Sequence, residues 1–256
     1  KYSGNNVAID DSLNLKSYST TDRDALTSAA GDMIYNSTTN KVQVYTGSAW
    51  EDLGGIDALQ IEYLVLAGGG GGNTNDDVAH GPGGAGGYLC NVNGENSGGN
   101  TSAQPSLFVP KSTNLQVTVG AGGGTASPGS KSEFTSIMSV GGGEGNRDFN
   151  KCGSSGGPNG RTSGGPTSGF TNNIAGQGSA SGDGVALQGA GGAGGAGAAG
   201  ADGTNNQGGA GGAGLASSIT GSSVTRGGGG GGGGTTGGAG GSGGGGAGGS
   251  GNNANG

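Results

Sequence analysis

His80 is the one histidine in the chain, so any Ser-His-Asp set would have to be built on it. A lone histidine in a polar loop reads instead as a solvated side chain. Leu64-Val65-Leu66-Ala67 feeding Gly68, Gly69 and Gly70 imitates the start of a dinucleotide-binding turn. The third glycine of that fingerprint would fall on Asn73, however, and no helical pattern follows. Gly129-Ser130-Lys131-Ser132 echoes a phosphate loop, but a serine separates glycine from lysine and no helix stands behind it. Asp22-Arg23-Asp24 and Asp76-Asp77 offer oxygens without calcium-loop spacing and read as solvated turn acids. The clustered carboxylates that glycan hydrolysis needs are missing. These residues predict no enzyme, no cofactor and no metal site.

The residues better suited to recognition lie in two loops. Arg147, Asp148, Phe149 and Lys151 fall in NRDFNK, and Phe170, Asn172 and Asn173 in GFTNNIAG. Each loop sets one aromatic side chain among charged or amide groups, in a region otherwise stripped of aromatics. One reading is a small apolar plug; the other is an aromatic presented to a glycan or protein. Cys90 and Cys152 make an even count, so a single disulfide stands beside the reading of two unrelated small residues. Asn36-Ser37-Thr38 and Asn100-Thr101-Ser102 match the glycosylation acceptor pattern, which is frequent by chance.

The elements that must position these loops are unusual. Of the 72 glycines, 49 lie in residues 141–256, including an unbroken run of eight from Gly227 to Gly234. Apolar residues make up 29% of the chain and aromatics 4%, too few for an ordinary globular core. The net charge of −7 comes from residues 1–140, because residues 141–256 carry four acids and four bases. An acidic chain without a basic stripe argues against nucleic-acid binding. No apolar run is long enough for a membrane-spanning helix, so no membrane insertion is expected. The chain starts at Lys1 without an initiator Met or signal peptide and reads as part of a longer protein.

Residues 141–256 hold only eight large apolar side chains, so backbone hydrogen bonds rather than a core must order them. Three-residue-per-turn extended helices meet that need, with glycine wherever one helix faces another. Gly191, Gly194, Gly197, Gly200 and Gly203 keep one phase of three, as do Gly237, Gly240, Gly243, Gly246 and Gly249. The pattern predicts a polyglycine-II bundle with loops at 146–151, 158–161, 170–174, 204–207, 215–226 and 235–236. Collagen is unlike this, since its triplets are uninterrupted and proline-rich.

Upstream, Thr20 or Thr21 could cap a turn or two of helix. The alternating runs 32–35 and 41–46 around Asn36-Ser37-Thr38-Thr39-Asn40 predict a hairpin, with Tyr35, Val42, Val44 and Trp50 on one face. Strands are expected at 61–67, 87–92, 106–109, 115–119 and 133–140. Alternation of Leu115, Val117 and Val119 implies a sheet with one covered face. The fold class is therefore mainly β plus irregular: an N-terminal β-hairpin segment, a small β-sheet region, then a polyglycine-II bundle, with almost no α-helix. Three divisions follow: 1–57 as a connector, 58–140 as the β-strand region and 141–256 as the bundle.

GDMIYNSTTNKVQVYTGSAWEDL resembles the short hairpin repeat of bacteriophage tail-fibre and other virion fibre proteins. The succession IEYLVLAGGGGG, GGAGGYL, LQVTVGAGGG, SEFTSIMSVGGGEG and GGAGGAGLASSITGSSVTRGGGGGGGG is similar to the glycine-rich domain of phage tail fibres, over residues 58–251. Such domains close on a short apolar strand, which Asn252-Asn253-Ala254-Asn255-Gly256 does not supply. In composition the tract also resembles receptor-binding tip adhesins of some T-even-type phages. The resemblance implies a virion tail fibre or distal adhesin that binds a bacterial surface receptor, a glycan or an outer-membrane protein. It further implies other virion fibre proteins as partners and a homotrimer at the N-terminal part. The alternative is a purely structural virion or extracellular filament protein without a receptor.

Overall fold

The computed structural model describes residues 14–53, 58–74, 80–111, 113–146, 151–160, 168–185 and 188–251. The described chain is mostly short strands in small sheets joined by irregular coil, with almost no helix. It divides into two compact units, Lys1–Leu59 with Val109–Ser112, and Gln60–Phe108 with Thr113–Gly256. Residue 140, where the composition changes, lies inside the second unit.

In the first unit, Ser17–Tyr18 pairs in parallel with Met33–Asn36, which is followed by antiparallel Lys41–Tyr45 and Trp50–Asp52. The hairpin is thus where the alternating runs put it. One helical turn, Thr20–Asp24, precedes it, and its cap is Ser19, whose hydroxyl accepts from the Asp22 N–H at 3.1 Å. A cap at Thr20 or Thr21 would have left the Asp22 N–H without this acceptor. The face assignment also changes. Tyr35 stands opposite Val42, but Trp50 stands opposite Tyr45, on the other side of the sheet. That other side is the buried one, because Ile34, Asn36 and Gln43 are all buried there. Its centre is polar: the Gln43 Oε1 accepts from Asn36 and Arg23, and its Nε2 donates to Asp52.

Among the described residues the second unit carries two small cores. Tyr88, Cys90, Val92 and Ala196 pack with Leu64, Leu66, Leu215 and Ile219, and Tyr63, Val65 and Leu89 pack with Phe134 and Ile137. Leu64–Leu66 pairs antiparallel with Tyr88–Cys90. The expected long strand at 133–140 is a hairpin instead, Ser132–Phe134 with Ile137–Ser139, because Thr135 turns the chain at φ 56°. Residues 215–226, expected as a loop, form a second hairpin, Leu215–Ser217 with Val224–Arg226. The covered face expected around Val117 is not found: Val117 is 63% and Val119 82% exposed.

Between and beyond the strands runs a lattice of backbone hydrogen bonds with a period of three. Ala190, Ala193 and Ala196 donate to the carbonyls of Gly233, Gly230 and Gly227. Gly191 and Gly194 donate to Pro158 and Ser155, and Gly192 and Gly195 to Ala201 and Ala198. Successive N–H groups of one segment therefore serve three different neighbours in rotation. Residues 228–234 repeat the scheme: Gly228, Gly231 and Gly234 donate to 243, 246 and 249; Gly229 and Gly232 to 212 and 209; Gly230 and Gly233 to 83 and 80. A two-residue period, as in a pleated sheet, would serve only two sides. The same rotation holds upstream, where Ala67, Gly70 and Asn73 donate to Gly87, Gly84 and Gly81, and Gly68 and Gly71 to Ser130 and Ser127.

The lattice explains the glycine phases. A Cβ at Gly191, Gly194 or Gly200 would fall on the backbone carbonyl of Gly182, Ser179 or Gly192. Alanines occupy the phase that leaves room, since Ala190, Ala193 and Ala196 are all 0% exposed. The second expected series holds only in part. Gly237 and Gly240 face carbonyls, but Gly243 is glycine for its φ of +98°, and a Cβ at Gly246 would meet nothing within 4 Å.

Candidate functional site

The ladder directions sort the loops by end. Residue 190 lies beside 233 and residue 196 beside 227, so the 190 end carries the loops that precede 190 and follow 233. Gly189 is the hub there, bridged to both Val185 and Gly234. Thr204 and Gln207 exchange backbone hydrogen bonds of 2.9 and 3.1 Å, closing a turn in which Asn206 takes φ 67°. Asparagine suits that left-handed position better than most residues. Thr236 then donates to the Asn206 carbonyl at 2.8 Å, and Gly208 donates to the Thr236 carbonyl at 2.9 Å, which locks 204–207 against 235–236. Ser250 joins them by accepting from the Gly237 N–H at 2.9 Å.

Two carboxylates extend this end. The Asp183 Oδ1 accepts from the Gly169 N–H at 2.6 Å, while the Asp202 Oδ1 accepts from the Asp183 N–H at 2.8 Å. Phe170, half-buried, is held by paired bonds with Ser181 and so stands beside the same group. The result is an exposed polar surface of Asp183, Asp202, Thr204, Asn205, Asn206, Gln207, Thr235 and Thr236 with one aromatic at its margin. Its chemistry is hydrogen bonding by amides, hydroxyls and two carboxylates. Among the described residues no group of three His, Cys, Asp or Glu could hold a metal ion.

The sequence-predicted site residues part company. Phe170 belongs to the loop end just described. Asn172 and Asn173 run away from it: the Asn172 carbonyl accepts from the Cys152 N–H, and Asn173 is bridged in parallel to Cys152. Cys152 lies three residues beyond Ser155, which pairs with Gly194, so this contact points toward the 196 end. Lys151 is exposed there. Arg147, Asp148 and Phe149 lie outside the described residues, as do Asp76 and Asp77. Asn205, Asn206, Thr235 and Thr236 were legible as loop residues but not as neighbours, because only the three-fold register shows that 206 meets 236.

Neither Cys90 nor Cys152 is in a disulfide, so the disulfide reading is not realised. The Cys90 thiol approaches the Glu95 Oε2 at 3.4 Å and the Cys152 thiol the Asn172 Oδ1 at 3.4 Å, so each has its own acceptor. Burial pushes the Cys90 thiol up, which disfavours the reactive thiolate. His80 departs from the solvated reading, since it is 3% exposed with Nδ1 unpartnered. Its carbonyl accepts from Gly233 and thereby draws it into the lattice.

A family model described as a glycine-rich domain matches residues 38–256. No curated protein and no solved structure matches the chain.

Proposed function

We propose that this chain, which belongs to the glycine-rich domain family, is a distal adhesin of a phage tail fibre that binds a bacterial surface receptor through loops on a rigid glycine scaffold. The carrying observation is the gathering of residues 183–185 and 188–189 with loops 204–207 and 235–236 at one end of the hydrogen-bonded lattice. We read the three-fold ladders as polyglycine-II helices packed side by side. Such a scaffold tolerates little change in its interior, where a Cβ would strike backbone, and leaves the loop residues free to vary. The receptor is a glycan or an outer-membrane protein, met by amides and hydroxyls with Phe170 alongside. Other virion fibre proteins adjoin the chain, which trimerises through its N-terminal part and stays outside the cell on the virion.

The test is competition for the cell surface. Purified chain should reduce phage adsorption to host cells, and replacing Asn205, Thr235 and Thr236 together with alanine should abolish that effect without lowering the melting temperature. A chain that never binds cells supports the structural filament reading instead.

A further inference from the structure

A groove of about 220 Å³ lies among residues 69–72, 80–85, 228–231 and 244–247 of the second unit. Apart from His80 and Pro82, the described residues that line it carry nothing larger than a methyl group, and none is charged. Its walls hold backbone donors left over from the lattice. Along one wall Gly68, Gly70, Gly71 and Asn73 all donate within the ladders, whereas Gly69 and Gly72 have no acceptor among the described residues. Along the other, Gly245 and Gly248 donate to Gly241 and Gly238, whereas Gly244, Gly246 and Ala247 have none among the described residues. Gly69 with Gly72, and Gly244 with Ala247, are each spaced by three residues. In a three-residue-per-turn chain that spacing repeats one direction, about 9 Å along the axis. His80 adds a buried Nδ1 without a partner.

We propose that this groove binds an extended glycine-rich peptide strand in the same three-fold form. The donors match carbonyls that recur every three residues, and such a strand is what the remaining sides of residues 68–73 already hold, in 81–87, 122–130 and 141–145. At those sides a Cβ on Gly70 or Gly71 would fall on a neighbouring carbonyl, so close approach demands glycine. An uncharged lining gives no counter-charge to an ionic ligand. No Phe, Tyr or Trp ring lines the groove to cover a sugar face, which disfavours a glycan here. The proposal rests on the three-fold reading of the ladders and is independent of the receptor reading.

The test is an NMR titration of the whole ¹⁵N-labelled chain with an acetylated, amidated GGAGGAG peptide. Saturable amide shifts are expected at Gly69, Gly72, Gly244 and Ala247. Gly69→Ala and Gly246→Ala line the walls with a methyl where a Cβ meets only the Gly84 carbonyl at 3.5 Å, or nothing within 4 Å. The double variant should melt like the parent and bind the peptide at least tenfold more weakly. Absence of saturable shifts in the parent chain, undiminished binding by the folded variant, or equal shifts from a neutral oligosaccharide would each overturn the proposal.

Discussion

Glu95 and Ser218, separated by 123 positions in the chain, are joined twice: one carboxylate oxygen accepts the Ser218 N–H and the Ser218 hydroxyl, each at 2.7 Å. The same carboxylate accepts the Cys90 thiol through its other oxygen. It thereby ties the turn after Leu215–Ser217 to the segment that follows the Tyr88–Cys90 strand. Burial pushes the Glu95 carboxyl up, but bonds from Ser217, Ser218 and Cys90 outweigh it and hold the pKa at about 2.

That depression sets a pH window. A carboxyl whose folded pKa lies below its unfolded value contributes stability above the ordinary carboxylate range and loses it as pH falls from 4.5 toward about 2. Glu95→Gln should therefore lower the melting temperature at pH 7, with the gap to the parent closing between pH 5 and pH 2. A gap that stays constant with pH would show that the charge on Glu95 is not what joins the two segments.

The glycine phases make a contrast that denaturant unfolding can read. Gly200→Ala places a Cβ on the Gly192 carbonyl, with only backbone able to yield. Overpacking of this kind costs roughly 1–3 kcal/mol. Gly246→Ala enters open space and should be neutral, or stabilising by roughly 0.4–1 kcal/mol through the unfolded chain. Equal effects at the two positions would contradict the three-fold register.

In the first unit, Asn36 is fully buried, accepts the N–H groups of Thr38 and Thr39, and donates to Gln43. Asn36→Leu strands those donors and should cost roughly 1–3 kcal/mol. Calorimetry should show the loss in a transition of the first unit while the second is unmoved. A common shift of all transitions would show that the two units unfold together.

Thiol labelling addresses the cysteines. Both are buried and outside any disulfide, and the raised Cys90 pKa slows that thiol further. An aromatic disulfide reagent should react slowly with the native chain and count two thiols in guanidinium. A count of zero in denaturant would restore the disulfide.

Much of this was legible in sequence because glycine spacing and turn residues act locally. The hairpin around Asn36–Asn40 follows from alternation and turn chemistry, and the phase from Gly191 to Gly203 follows from where neighbouring backbone admits no Cβ. What pairs over long distance was not legible. Trp50 sits on the side opposite Val42 because the second turn sets its register with Tyr45. Asn206 meets Thr236, and His80 is drawn into the lattice by Gly233, through backbone bonds that no side-chain pattern announces.

Amide hydrogen exchange tests the lattice on which the proposed binding surface stands. Residues 190–196 and 228–234 should be protected in all three phases, while Gly69, Gly72, Gly244 and Ala247 exchange quickly. Uniform exchange at unstructured rates across residues 190–251 would contradict a backbone scaffold and, with it, a fixed end that presents loops.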